Sequence, residues 1–153
     1  TMRCICHPSL RRFARYLRML GIDTACLPEE TWTQMATGTE KVIFFTNRSS
    51  VSPPEGAYRI TALRARDQAR EARRIVHPYI CREQILSRCL DCNDTLLPVA
   101  RNEVEHKVPE HVFHEIDTFT SCPSCGKIYW RGTHSAAMES LINDIFGIPP
   151  EDL

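Results

Sequence analysis

A chain of 153 residues has the size of one globular domain, or of one domain with a small appendage, and 42% apolar with 25% charged residues is an ordinary soluble composition. No uncharged apolar run reaches the roughly 18 residues of a membrane span, and no secretory leader is visible, so a spanning protein is excluded and an intracellular location, cytoplasmic or nuclear, is expected. The net charge of zero hides an asymmetry: residues 1–76 carry 13 Lys and Arg against 7 Asp and Glu, whereas residues 77–153 carry 6 against 12. A basic half of this kind reads either as a surface for a polyanion or as arginines on solvated helix faces.

In chain order, Arg3 to Cys6 is the first expected strand, with a helix from Ser9, a natural N-cap, to Leu20 and Gly21 as its stop. Leu10, Phe13, Ala14, Leu17 and Leu20 fall on one face of that helix, while Arg11, Arg15 and Arg18 form a separate cationic stripe. Asp23 to Leu27 predicts a second strand, Glu29 to Ala36 a second helix, and Lys41 to Thr46 a buried strand of the parallel type. Pro53, Pro54 and Gly56 mark a loop, Tyr58 to Leu63 a fourth strand, and Asp67 the start of an arginine-rich helix running to about Ile75. The alternation predicts a small α/β domain over residues 1–80, with its functional crevice outside the carboxyl ends of the strands, where Cys6, His7, Thr46 and Asn47 fall.

Residues 81–153 change character. Cys89, Cys92, Cys122 and Cys125 make two Cys-x-x-Cys pairs separated by 29 residues, the pattern of a closed tetrahedral centre for one structural zinc. Asn93 and Gly126, which follow the second cysteine of each pair, tolerate the left-handed backbone that turns amides toward sulfur. The long spacer requires an inserted hairpin or helical turn around residues 108–113. A redox dithiol pair is the alternative, and a reducing compartment disfavours disulfides among the eight cysteines. His106, His111 and His114 in the insert read as exposed polar residues or as a further metal group. The helix from about Ala136 to Phe146 is expected to pack the two parts together.

Three stretches, ARYLRMLGIDT at 14–24, SRCLDCNDTL at 87–96 and CPSCGKIYWRGTHSAAM at 122–138, resemble the Mut-seven C-terminal RNase family. The resemblance implies a PIN-like parallel sheet flanked by helices, followed by a zinc ribbon and a C-terminal helix. It also implies an RNA connection, often at the carboxyl end of a 3′-to-5′ exoribonuclease of small-RNA pathways, a context that would suit a chain starting at Thr1 ahead of Met2. A protein partner in an RNA-silencing complex, and with it an RNA granule, would follow.

Family members usually carry an aspartate seven residues before the alanine of the Ala-Arg-aromatic-Leu-Arg motif, and another in a Thr-Arg-Asp motif after the third strand. Here those positions are His7 and Arg48. Clustered carboxylates are what a PIN-type nuclease uses to hold a hard divalent cation, so the expectation is the remains of an active site, with no catalytic residue. Two alternatives stay open: a rearranged nuclease using Asp23 and Asp67, or a soft-metal site of Cys4, Cys6 and His7. Single-stranded RNA is the expected partner, bound with little sequence preference by Arg11, Arg15 and Arg18, with Tyr129, Trp130, Arg131 and His134 as auxiliary contacts or simply as the small core of the ribbon.

Overall fold

A computed structural model describes residues 2–36, 38–48, 57–130 and 133–152, with side chains omitted for 133–135. Strands β1 (Met2–Cys6), β2 (Asp23–Cys26), β3 (Lys41–Thr46) and β4 (Ala57–Arg59) form a parallel sheet in the order β2-β1-β3-β4. The chain steps from β1 outward to β2, then returns past β1 to β3 and on to β4. The strand order therefore reverses between β1 and β3, the place where open parallel sheets present their crevice.

Both faces of this sheet are covered, which is why its central strands, β1 and β3, are largely apolar and buried, while the edge strands are not. Cys4 and Cys6 of β1 and Ile43 and Phe45 of β3 face the main core under helices α1 (Arg11–Met19) and α3 (Ala65–Val76). Ile5 and Phe44 point the other way, onto Trp32 of the single-turn helix α2 (Trp32–Met35), whose indole stacks on Phe44 with centroids 5.0 Å apart.

Several expected boundaries shift for local reasons. Ser9 does not cap α1. His7 caps a short 3-10 turn, Pro8–Leu10, by accepting the Ser9 amide at 3.0 Å, and α1 begins behind it. Helix α3 starts at Ala65, so Asp67 sits inside its first turn, paired with Arg70 at 3.1 Å, and caps nothing. The segment from Glu29 is a 3-10 turn, Glu29–Thr31, leading into α2. Strand β4 ends at Arg59, because the segment beyond is taken up by Glu71 of α3, whose carboxylate accepts the amides of Thr61 and Ala62. The loop expected around Pro53 to Gly56 lies outside the described residues.

The second part is a three-stranded antiparallel meander, β5 (Leu97–Val99), β6 (Phe119–Ser121) and β7 (Ile128–Trp130), in the order β5-β6-β7. The long spacer holds two short helices, α4 (Arg101–Val104) and α5 (Glu110–Glu115). Val104, Val108, Val112 and Phe119 give the meander its own small core.

Helix α6 (Thr133–Phe146) begins three residues before the expected start and does the packing expected of it: Ile142, Ile145 and Phe146 join the main core beside α3. Leu90 of the first cysteine pair and Ile85 of the preceding linker enter the same core, so the two parts share one interior. The linker is clamped at Gly21, whose φ of +79° only glycine adopts freely and where any Cβ would collide with the Gln84 carbonyl.

Candidate functional site

The two Cys-x-x-Cys segments fold as matching turns. In the first, the Asn93 amide returns to the Cys89 carbonyl at 2.9 Å and the Cys89 amide donates to Asp94. In the second, the Gly126 amide returns to Cys122 at 2.9 Å and the Cys122 amide donates to Lys127. Asn93 (φ +70°) and Gly126 (φ +76°) adopt the left-handed backbone that each turn demands. The turns bring the four sulfurs of Cys89, Cys92, Cys122 and Cys125 within 4.8 Å of one another.

The Cys89 and Cys125 sulfurs are 3.8 Å apart, which matches the edge of about 3.8 Å of a tetrahedron with metal–sulfur bonds of about 2.3 Å. The group can hold one metal ion. Among the described residues it is the one set of three or more Cys, His, Asp or Glu side chains placed to do so. Burial alone would push the Cys89 thiol up. The Tyr129 hydroxyl, the amides of Cys92 and Asp91 and the Cys122 thiol outweigh it and bring the group down to about 7, so Cys89 favours the thiolate, while its hydrogen bond with Cys125 pushes the Cys92 thiol up and Cys125 is itself raised.

Tyr129 belongs to this centre. Its hydroxyl donates to the Cys89 sulfur at 3.2 Å and accepts the Leu90 amide at 3.2 Å. Trp130 packs edge-on against Phe119 in the small core. The aromatic pair expected as auxiliary RNA contacts therefore has structural duties. Arg131 lies outside the described residues, as does the side chain of His134. His106 and His114 are exposed beside Glu105 and Glu110, and neither they nor His111 join a metal group among the described residues.

The cationic stripe of α1 divides. Arg11 is exposed, and Arg15 pairs with Asp91 at the first cysteine turn. Arg18 is not on the surface: it is 7% exposed, its Nε donates to the Thr24 carbonyl at 3.0 Å, and its Nη1 donates to the carbonyls of Leu90 at 2.8 Å and Asp91 at 3.3 Å. The cause is that β2 and the first cysteine turn close over the last turn of α1 and bring those carbonyls to it. Arg18 ties the α/β sheet to the cysteine centre.

At the strand reversal, β1 and β3 deliver a polar chain. The Ser9 hydroxyl lies 2.6 Å from His7 Nδ1 and 2.6 Å from Asn47 Oδ1, while His7 Nδ1 also accepts the Ser9 amide. With Nδ1 accepting, His7 carries any neutral-state proton on Nε2. Arg48 is exposed beside them, its amide on the Thr46 hydroxyl at 3.1 Å.

Neither acid of the rearranged-nuclease alternative joins this chain. Asp23 opens β2 at the opposite end of the sheet, taken by Asn93 Nδ2 at 2.7 Å, and Asp67 is paired with Arg70 on α3. Cys4 and Cys6 are fully buried, and burial holds both thiols well above their ordinary range, as expected of core residues.

One acid at the strand ends was missed in the sequence. Glu29 accepts the Thr46 hydroxyl at 2.5 Å through Oε1, while its Oε2 is buried with no hydrogen-bond partner among the described residues. Its only sequence signal was a position three residues beyond β2, a place where α/β domains put crevice residues.

Fold and site together define a small α/β domain with a parallel sheet, fused to a ribbon whose four cysteines can hold a metal ion and closed by a C-terminal helix. Residues 2–142 match the Mut7-C RNAse domain, and the chain belongs to that family. No curated protein and no solved structure matches it. Among the described residues no helix is long and apolar enough to cross a membrane.

Proposed function

We propose that this chain holds RNA without cutting it: a catalytically degenerate PIN-like domain stabilised by a zinc ribbon, serving a larger RNA-processing protein such as a small-RNA exoribonuclease. The observation that carries the reading is the pair His7 and Arg48 at the strand ends, where the family resemblance implies aspartates. Carboxylates there would both ligate a divalent cation and offset its charge. An imidazole whose Nδ1 already accepts from Ser9 does neither, and a guanidinium repels the ion.

Loss of one key electrostatic group commonly costs on the order of a hundredfold in rate, so two such changes bring cleavage to background. The family and the basic first half support RNA as the partner. Of the α1 stripe, exposed Arg11 is the side chain left to meet phosphate, since Arg15 is engaged by Asp91 and Arg18 is buried, and such a contact depends on salt more than on sequence. Zinc is the metal that four thiolates at tetrahedral spacing prefer, one per chain.

The test is incubation of the chain with single-stranded and hairpin RNA in magnesium and in manganese, with binding followed by gel shift. Salt-sensitive binding without cleavage is expected. Oε2 of Glu29, which has no hydrogen-bond partner among the described residues, favours a second reading, a metal-dependent ribonuclease with rearranged acids. Metal-dependent cleavage that disappears in Glu29→Gln, or in the double Asp23→Asn, Asp67→Asn variant, establishes that reading instead.

A further inference from the structure

We propose that single-stranded RNA runs along the outer face of α3 and across a notch at the β4 edge, with phosphates on Arg70, Arg73, Arg74 and His77 and bases on Tyr58 and Tyr79. This rests on the reading that the chain holds RNA, and it names where.

Helix α3 buries Gln68, Ala69, Ala72 and Val76 and leaves Arg66, Arg70, Arg73, Arg74 and the following His77 exposed. Positions 70, 73, 74 and 77 share one helical face and span about 10 Å along the axis. The acids of α3 neutralise that face only at Arg70. Glu71 is turned onto the Thr61 and Ala62 amides, and Asp67 meets only Arg70, so among the described residues no carboxylate pairs with Arg66, Arg73 or Arg74.

Two hollows lie end to end on this surface. Arg70, Arg73, Arg74, His77 and Pro78 border one of about 380 Å³. Arg74 and Pro78 also border the next, about 370 Å³, which Lys41, Ile43, Tyr58, Ile75 and Tyr79 complete. Both tyrosines are exposed there, Tyr58 by 42% and Tyr79 by 39%, and the Tyr58 ring is backed by Phe45 with centroids 6.1 Å apart. Beyond Tyr79 the adjoining hollow sets Asp23 and Glu40 against Lys41 and Arg88, so the surplus of cations that marks the track ends there. His7, Ser9 and Asn47 line none of these hollows, so the track is separate from the strand-end crevice.

Cations that follow a backbone, placed beside aromatic faces that accept any base, are the recognition chemistry of single-stranded nucleic acid. A protein partner would call instead for an apolar, charge-depleted centre, which the arginine hollow lacks.

The experiment measures binding of a fluorescein-labelled 12-nucleotide oligouridylate to the chain by anisotropy over a salt series. Arg70→Gln with Arg74→Gln is expected to weaken binding at least tenfold and to flatten the salt slope by about 1.4. Tyr79→Ala should weaken it about fivefold or more with the salt slope unchanged. Circular dichroism confirms folding, and Arg70→Lys with Arg74→Lys, which keeps the charge, should restore most of the affinity. Parent-like binding by the Gln and Ala variants overturns the track and leaves RNA binding standing. A parent chain that binds no oligonucleotide but captures a polyglutamate peptide overturns both.

Discussion

Asn93 clasps Asp23. Its Nδ2 donates to the Asp23 carboxylate at 2.7 Å, and its Oδ1 accepts the neighbouring Thr24 amide at 2.9 Å, so one side chain on the first cysteine turn completes the exposed edge of β2. The residue also supplies the left-handed backbone the turn needs. Replacing Asn93 by Gly keeps the backbone and removes the clasp, at a cost of about 1–3 kcal/mol. Replacing it by Ala adds a conformational penalty of about 1–2 kcal/mol. Urea unfolding should rank parent, Gly, Ala in falling stability; equal stability of Gly variant and parent would show the clasp idle.

The metal centre predicts a coupled loss. Pure protein should contain about one zinc per chain. Cys92→Ala should lower that content well below one and drop Tm by about 10 °C or more, since a ribbon with so small a core depends on its metal. A chelator added to the parent should reproduce the loss, and zinc should reverse it. Unchanged metal content and Tm in Cys92→Ala would remove the assignment.

Much of this was legible in the sequence because the signals were periodic or spaced. The apolar run of β3 announced a buried strand of a parallel sheet, and two Cys-x-x-Cys pairs announced a four-sulfur centre. What stayed hidden depended on contacts between distant segments. Nothing in RRFARYLRML separates Arg18 from Arg11 and Arg15, because its burial comes from carbonyls of Leu90 and Asp91, more than 70 positions along the chain. Glu29 looked like one of two acids opening a helix, and its role at the strand ends appears only once Thr46 is beside it. Tyr129 offered a choice between base stacking and ribbon core, and the hydrogen bond to Cys89 assigns it to the metal centre.

Arg18 yields a prediction that separates folding from binding. Arg18→Ala leaves buried carbonyls of Thr24 and Leu90 without their donor and should cost about 2–4 kcal/mol. Under conditions where the variant is folded, its RNA affinity should stay within twofold of the parent. Arg11→Ala should show the reverse: parent stability with weakened RNA binding. A stable Arg18→Ala variant that had lost RNA affinity would return Arg18 to the contact surface.

Gly21 predicts a steric effect at the junction. A Cβ there would strike the Gln84 carbonyl, and φ +79° is left-handed, so Gly21→Ala must displace the linker that brings Ile85 into the core. A loss of at least about 2 kcal/mol is expected by urea titration, while a variant as stable as the parent would mean that the linker yields without cost.

The last prediction concerns pH, through Glu71. Burial acts to raise its carboxyl, but the amides of Ala62 and Thr61 and the Thr61 hydroxyl, at 2.8–3.1 Å, outweigh it and hold the group below its ordinary range. In the unfolded chain the same carboxyl titrates near about 4.3, so between the two values the unfolded state binds more protons and acid favours unfolding. The contribution is therefore fully present above about pH 4.3 and is lost as pH falls through the lower folded value. Because Glu71 is largely exposed, solvent and salt screen its charge, and the clamp amounts to about 1 kcal/mol. Glu71→Gln keeps the side-chain shape but cannot accept at both ends. Its stability deficit, read from urea midpoints at a series of pH values, should be constant from neutral pH to about 5 and narrow towards pH 3. A deficit unchanged over that whole range would mean that packing, not the ionised carboxylate, fastens the β4–α3 loop.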